Sequence, residues 1–330
     1  MKKNSKYFFI VSLIFFIFLF SRIILKSISA DIPIAGSMPI LYSNQCRQNL
    51  KVTLINAIKS AKKSIYLVMF NLTDPNILAL LDKKSKENIN LKIFYDSKYI
   101  PKIDLENKTF SVKSKGLMHH KILVIDQKVV FMGSCNMTIS SLLMHDNLLI
   151  GLNSSMVANF LMKKSPHSSG HLKTMVGGQV VEIFLLPDVQ NEAMQKVKNL
   201  ISSSIKSIDI AMFTFTNTKL VDELIKAKKR NIDVRVYIDY SSYKGVSSKS
   251  IKKLKKENIK IYYSKGKELN HHKFMLIDNR HLLAGSANFT SAAFEKNYDS
   301  FIVLYNLDYT QKTFMKKLIK IINYESTFLK

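Results

Sequence analysis

Cysteine is scarce in this 330-residue chain: Cys46 and Cys135 are the whole complement. Two thiols so placed build no disulfide framework and leave the redox compartment open. Cys135 lies in a Gly-Ser-Cys-Asn stretch whose second copy has Ala287 at the same place, so it reads as a small buried filler rather than a nucleophile. Acidic residues are also few, 24 against 50 Lys and Arg, for a formal charge of +26. No carboxylate cluster is available to hold a metal. The two His-His dipeptides have no further His or Cys at ligand spacing, which argues against a metal site there. Low-complexity segments are absent, and 47% hydrophobic with 22% charged residues excludes a disordered chain.

The surplus of positive charge attracts polyanions, either nucleic acid or an anionic membrane surface. Lysines scattered over solvated faces would give the same total. Residues 1–30 hold Lys2, Lys3, Lys6, Arg22 and Lys26 and no acid, which leaves +21 for the rest. Within them runs YFFIVSLIFFIFLF, residues 7–20. A basic start followed by an apolar run is a membrane-targeting segment. It reads either as a cleaved signal, with Ser27 and Ser29 before the cut, or as an uncleaved anchor over 7–25. Both place the catalytic part on the extracytoplasmic side, the protein being membrane-anchored or secreted.

The remainder is written twice. KKSIYLVMFNLT (62–73) matches IKSIDIAMFTFT (205–216), and NINLKIFYD (88–96) matches NIDVRVYID (231–239), both at an offset of 143. MHHKILVIDQKVVFMGSCNMT (118–138) matches NHHKFMLIDNRHLLAGSANFT (270–290) at an offset of 152, so the second copy carries nine extra residues. These fall in YSSYKGVSSKSIKKLKKE, expected as a loop and a basic helix. Each copy predicts a short strand (40–42; 180–185), a helix (48–60; 190–203), a buried strand (65–70; 208–213), a helix (75–84; 220–229) and a strand (91–95; 234–238). Two strands around a tight turn close it (122–125 and 129–132; 274–277 and 281–284). Buried strands alternating with helices predict an α/β sandwich in each copy. KKSPHSSGHLKTMVGG, residues 163–178, reads as the linker. The expected divisions are a targeting segment over 1–30 and domains over 38–165 and 176–330. Two copies of one fold pack naturally about a pseudo-two-fold, which would bring both signatures to one cleft.

His119 and Lys121, like His271 and Lys273, are two apart at the head of a strand and so aim at one face. Asp126 and Asp278 end those strands. Gly133-Ser134-Cys135-Asn136 and Gly285-Ser286-Ala287-Asn288 end the returning strands, with Ser and Asn as neutral donors. His120 and His272 point the other way, into the core. The assembled cleft suits a phosphate. Lys121, Lys273, Ser134, Asn136, Ser286 and Asn288 would hold its oxygens. One histidine would attack phosphorus and the other would move the proton.

This pattern resembles the phospholipase D superfamily, whose signature is His-x-Lys-x4-Asp followed by Gly-Ser-x-Asn, and it does so in both copies. The resemblance implies two phospholipase D-like α/β(α) sandwich domains related by a pseudo-two-fold, here preceded by a hydrophobic helix. It also implies a phosphodiesterase that needs no metal or other cofactor and works through a phosphohistidine. Asp126 and Asp278 are then structural partners within the motif. In that family a carboxylate fourteen residues after the signature glycine orients the catalytic histidine. That position is Asp299 in the second copy and Asn147 in the first. The expectation drawn is that Asp299 backs His271, keeping it protonated as general acid, and that His119 is the nucleophile. The expected substrate is a phospholipid headgroup, hydrolysed or exchanged for another alcohol. Apolar residues beside both signatures (142–144; 292–294) and the targeting segment point that way. The alternatives are a metal-independent nuclease acting on DNA or RNA, and an inactive membrane-anchored polyanion-binding protein. The chain is expected to act as a monomer.

Overall fold

The computed structural model describes residues 7, 9–20, 31–103, 105–188, 190–266 and 268–329. Seven strands form the first sheet: β1 (Ile40–Tyr42), β2 (Ser64–Met69), β3 (Asn90–Asp96), β4 (Thr109–Val112), β5 (Lys121–Ile125), β6 (Val129–Gly133) and β7 (Leu149–Asn153), in the order β1-β7-β6-β5-β2-β3-β4. Nine form the second: β8 (Gly170–Val176), β9 (Gln179–Leu185), β10 (Ser207–Met212), β11 (Asp233–Ile238), β12 (Lys260–Ser264), β13 (Lys273–Ile277), β14 (His281–Gly285), β15 (Ser300–Leu304) and β16 (Ser326–Phe328). Their order is β16-β12-β11-β10-β13-β14-β15-β9-β8. The run from β9 to β12 therefore repeats the first sheet strand for strand. Strands β8 and β16 are additions at its two edges.

Pattern and packing agree along each central strand. In β2, Ile65, Leu67 and Met69 face the helices Leu50–Ser60 and Pro75–Lys86, while Tyr66 and Val68 face the other sheet. The second copy does the same with Ile208, Ile210 and Met212 outward and Ala211 inward. Both faces are buried, so these strands are largely apolar rather than alternating, with buried Asp209 in β10 paired to Arg235. The inner faces share one core, in which Val68, Ile122 and Val124 meet Phe274, Leu276 and Ala284 around the helices Ser155–Lys164 and Tyr309–Tyr324. Burying one such side chain contributes about 1.5–3 kcal/mol, so this shared core holds the two copies face to face. The outer helices begin where the sequence supplies caps. Asp74 accepts from the amides of Asn76 and Ile77 with Pro75 behind it, and Asn217 accepts from Leu220.

Two expectations need correction. The presumed linker contributes β8, whose exposure alternates residue by residue over Gly170–Val176 and which pairs with β9 throughout. The second sheet thus starts before residue 176. Composition pointed to a linker because an edge strand facing solvent is half polar. The insertion after Asp239 forms two helices, Tyr240–Lys244 and Ser248–Lys256, rather than a loop and one helix. Of the spanning segment expected over 7–25, residues 8 and 21–25 lie outside the described residues. Residues 9–20 are helical with exposed apolar side chains. No helix among the described residues is long and apolar enough to cross a membrane. Lys2, Lys3, Lys6, Arg22, Lys26, Ser27 and Ser29 lie outside the described residues.

Candidate active site

Strand direction places the signatures. Strands β2 and β3 are parallel, as are β10 and β11, while β5 and β13 run against them. The register Met69↔Lys121 and Met212↔Lys273 brings the head of each signature to the carboxyl ends of the parallel strands, where open α/β sheets bind ligands. The copies are stitched together at that end. Met118 bridges to Tyr298 and Asp146 to Asn270, and the His119 amide donates to the Tyr298 carbonyl at 2.7 Å.

The histidine pairs cross between copies. Nδ1 of His119 lies 2.8 Å from Oδ1 of Asp299, and Nδ1 of His271 lies 3.0 Å from Oδ1 of Asn147. The expectation that Asp299 backs His271 is therefore overturned. The carboxylate of the second copy reaches across the pseudo-two-fold to the histidine of the first. The acceptors are themselves held. Ser286 Oγ donates to Oδ1 of Asp299 at 2.7 Å, and Ser134 Oγ donates to Oδ1 of Asn147 at 2.8 Å. Nδ2 of Asn147 donates to the carbonyls of Ser141 and His145, which turns its oxygen toward His271. Thus Ser134 and Ser286, read from sequence as phosphate donors, spend their hydroxyl protons on the orienting groups. Gly133 and Gly285 allow it: a Cβ there would run into the carbonyl of Leu148, just before β7, or of Ser300 in β15.

Both histidines and both lysines are at least nine-tenths buried. Nζ of Lys121 donates to the His119 carbonyl at 2.8 Å and sits 5.0 Å from the centre of the Phe70 ring, and Lys273 repeats this with His271 at 3.0 Å and Phe213 at 5.3 Å. Phe70 and Phe213 also pack against the rings of His119 and His271. Burial pushes Lys121 down to about 7, with Asp299 pulling the other way, and pushes Lys273 well below its ordinary value, helped by Lys121. His119 is lowered by burial and Lys121 against the opposing pull of Asp299. His271 is lowered further, by burial and by both lysines, with no carboxylate partner. Burial works against ionisation of Asp299, but His119 and Lys121 hold it down to about 2. The carboxylate is thus charged beside the His119 ring, where its pull opposes the effect of burial and Lys121.

Asn136 and Asn288 are half-buried; Oδ1 of Asn288 accepts from the Thr214 amide, whereas Oδ1 of Asn136 is buried without a partner. Asp126 accepts from the amides of Lys62, Lys63 and Ser64, and Asp278 from those of Ile205, Lys206 and Ser207, at the opposite end of the sheet. They tie the hairpin turn to the start of the neighbouring strand and touch no part of the cleft. His120 and His272 are fully buried in the core. Sequence reasoning missed Asp96 and Asp239. Asp96 ends β3 and Asp239 directly follows β11, and each accepts the amide just before a signature histidine, that of Met118 at 2.7 Å and that of Asn270 at 3.0 Å. The signal was there, since both matched segments end in aspartate. Among the described residues no group of three or more His, Cys, Asp or Glu is placed to hold a metal.

This arrangement gathers one lysine amine and one imidazole from each copy, each imidazole held at Nδ1 by the other copy. Residues 54–164 and 197–323 match the family model described as "Cardiolipin synthase, PLD-like domain". A cardiolipin synthase from Clostridium perfringens is 25% identical over 319 residues, covering 80% of this chain and 66% of that protein. A mitochondrial cardiolipin hydrolase from Danio rerio is 28% identical over 116 residues, covering 35% of this chain and 50% of that protein. This chain thus spans two thirds or less of these relatives' length. The crystal structure of a phosphatidylserine synthase from Haemophilus influenzae aligns with a TM-score of 0.69 at 13% identity, covering 90% of this chain and 89% of that one, which shows the shared fold.

Proposed function

This chain belongs to the phospholipase D superfamily, and from that premise we propose that it cleaves phospholipid headgroups through a phosphohistidine, passing the phosphatidyl group to water or to an acceptor alcohol. The crossed histidine pairing carries the reading. Each imidazole is oriented by the opposite copy, so both serve one phosphorus atom within a single chain.

Asp299 accepts from Nδ1–H of His119 and leaves the Nε2 lone pair free. Nε2 attacks phosphorus, and the P–N bond forms as the P–O bond to the headgroup breaks. A proton from Nε2 of His271 passes to the departing oxygen. The His119 ring becomes cationic in this step, and the buried carboxylate compensates that charge where water cannot. His119 keeps the nucleophile's role assigned from sequence, for a different reason. His271 is the acid. Burial and the lysines leave it with low proton affinity, so its imidazolium gives up a proton readily. The negative charge of the diester, on entering, offsets the lysines and lets that proton bind. In the second step water or an alcohol gives its proton to His271 while its oxygen displaces His119. Lys121, Lys273, Asn136 and Asn288 hold the non-bridging oxygens. The helical stretch 9–20 serves as the membrane attachment, with the site on the extracytoplasmic side.

The test is full-length protein on phosphatidylglycerol and cardiolipin vesicles, with DNA in parallel and EDTA in half the samples. Headgroup release or exchange, abolished by His119→Ala and by His271→Ala, supports the reading. DNA cleavage without headgroup release overturns the lipid assignment, and loss of all turnover in EDTA overturns the metal-free mechanism.

A further inference from the structure

His119 and His271 are only 7% and 8% exposed, so a lipid phosphate must be brought down to them. Exposed apolar side chains stand in the segments around them. Tyr99 and Ile100 follow Asp96 at the end of β3 and are 41% and 70% exposed; the Tyr99 ring packs on Phe70, which packs on His119. Leu143 and Met144, 48% and 50% exposed, precede His145, whose ring centre is 6.3 Å from that of His271. Tyr240 and Val246, 46% and 70% exposed, belong to the insertion that follows β11 at the same end of the second sheet. Exposed lysines are interleaved: Lys98, Lys102, Lys115, Lys244, Lys265 and Lys296.

We infer that this rim is an interfacial docking surface whose partner is the face of an anionic phospholipid bilayer, with Ile100 and Leu143 entering the acyl boundary and the lysines meeting headgroup phosphates. The inference rests on the lipid reading of the site. Charge complementarity favours this occupant, since the chain carries +26 and presents its lysines around an apolar mouth. Tyr99 with Ile100 lies on the His119 side and Leu143 with Met144 on the His271 side, so docking seals the cleft over one headgroup.

The chain contains no tryptophan, so a single one reports its own depth. Full-length Ile100→Trp, Leu143→Trp and Ile205→Trp are each mixed with vesicles of brominated phosphatidylglycerol and with vesicles of brominated phosphatidylcholine. Ile205 is 71% exposed at the opposite end of the sheet, beside Asp278. The expected result is strong quenching at positions 100 and 143 on the anionic vesicles, weak quenching on phosphatidylcholine, and none at 205. Quenching at 205 but not at 100 or 143, or equal quenching on both lipids, overturns the proposal. In parallel, Ile100→Asp with Leu143→Asp should cut headgroup release from vesicles at least tenfold while cleavage of soluble bis(p-nitrophenyl) phosphate stays within twofold. Equal losses on both substrates also overturn it. Quenching without any headgroup release would instead count against the proposed lipid chemistry and leave the docking surface standing.

Discussion

Asp299→Asn is the sharpest test of how the cleft works, because the protein already contains the product of that change. Asn147 holds His271 as the substituted residue would hold His119: its Oδ1 accepts from the ring and from a serine hydroxyl. The variant should therefore keep its geometry and lose only the charge. Two unit charges about 4 Å apart at an effective dielectric of about 20 interact by about 4 kcal/mol. The His119 ring carries its full positive charge only after it has bonded to phosphorus, so most of that energy acts on the first step, where it corresponds to about a thousandfold in rate. The assay is single-turnover formation of the labelled histidine adduct from a radioactive diester, with thermal unfolding to confirm that the fold survives. Loss of the raising influence of Asp299 also lowers the proton affinity of His119. The acid limb of kcat/KM, which reports deprotonation of the nucleophile, should move to lower pH while the rate falls. A variant that forms the adduct within threefold of the parent rate would refute the compensating role of Asp299. Label recovered on His271 would reverse the two histidines.

Lys121, pushed down to about 7, should lose its charge as pH rises through neutrality. Competitive inhibition by inorganic phosphate should weaken above that pH, and Lys121→Arg, always charged, should flatten the dependence. Asp126→Ala and Asp278→Ala each strand three backbone amides on a partly exposed edge, a cost of about 1–3 kcal/mol. Denaturant titration should show that loss, with near-parental turnover in the folded fraction; Asp126→Asn should be milder because asparagine tolerates the left-handed φ of 51° there. Cys135→Ala copies the second half of the chain. The thiol is buried and pushed up to about 12, so the variant should keep its activity, and the parent protein should resist inhibition by iodoacetamide.

The duplication was legible because both copies bury their strands on two faces. Residues such as Ile65, Leu67, Ile208 and Ile210 must then be apolar whatever else changes. The i, i+2 placement of His119 with Lys121, and of His271 with Lys273, follows from strand geometry alone. The edges were harder. Strand β8 is read as linker because every second residue faces water, and the three-residue β16 is too short to leave a periodicity.

What sequence could not give is the partner of each histidine. Within one copy the natural reading pairs the histidine with its own downstream carboxylate. The face-to-face packing of the sheets instead places Asp299 against His119, 180 residues away. The consequence is functional. A site divided inside one copy could be kept by either half alone, whereas here each imidazole depends on the other half for its orientation. The two halves are then free to diverge only as a pair, and they have: one acceptor is a carboxylate and the other an amide. That single difference breaks the pseudo-two-fold where the reaction needs it broken, since attack on phosphorus requires one ring to gain charge and the other to give up a proton. Asn147→Asp in the otherwise unchanged chain would restore the symmetry. Holding a second buried carboxylate beside His271 should raise its proton affinity and weaken it as an acid, so the leaving-group step should slow for poor leaving alcohols and stay nearly unchanged for p-nitrophenol. An equal effect on both would mean that the asymmetry between Asp299 and Asn147 has no bearing on proton transfer.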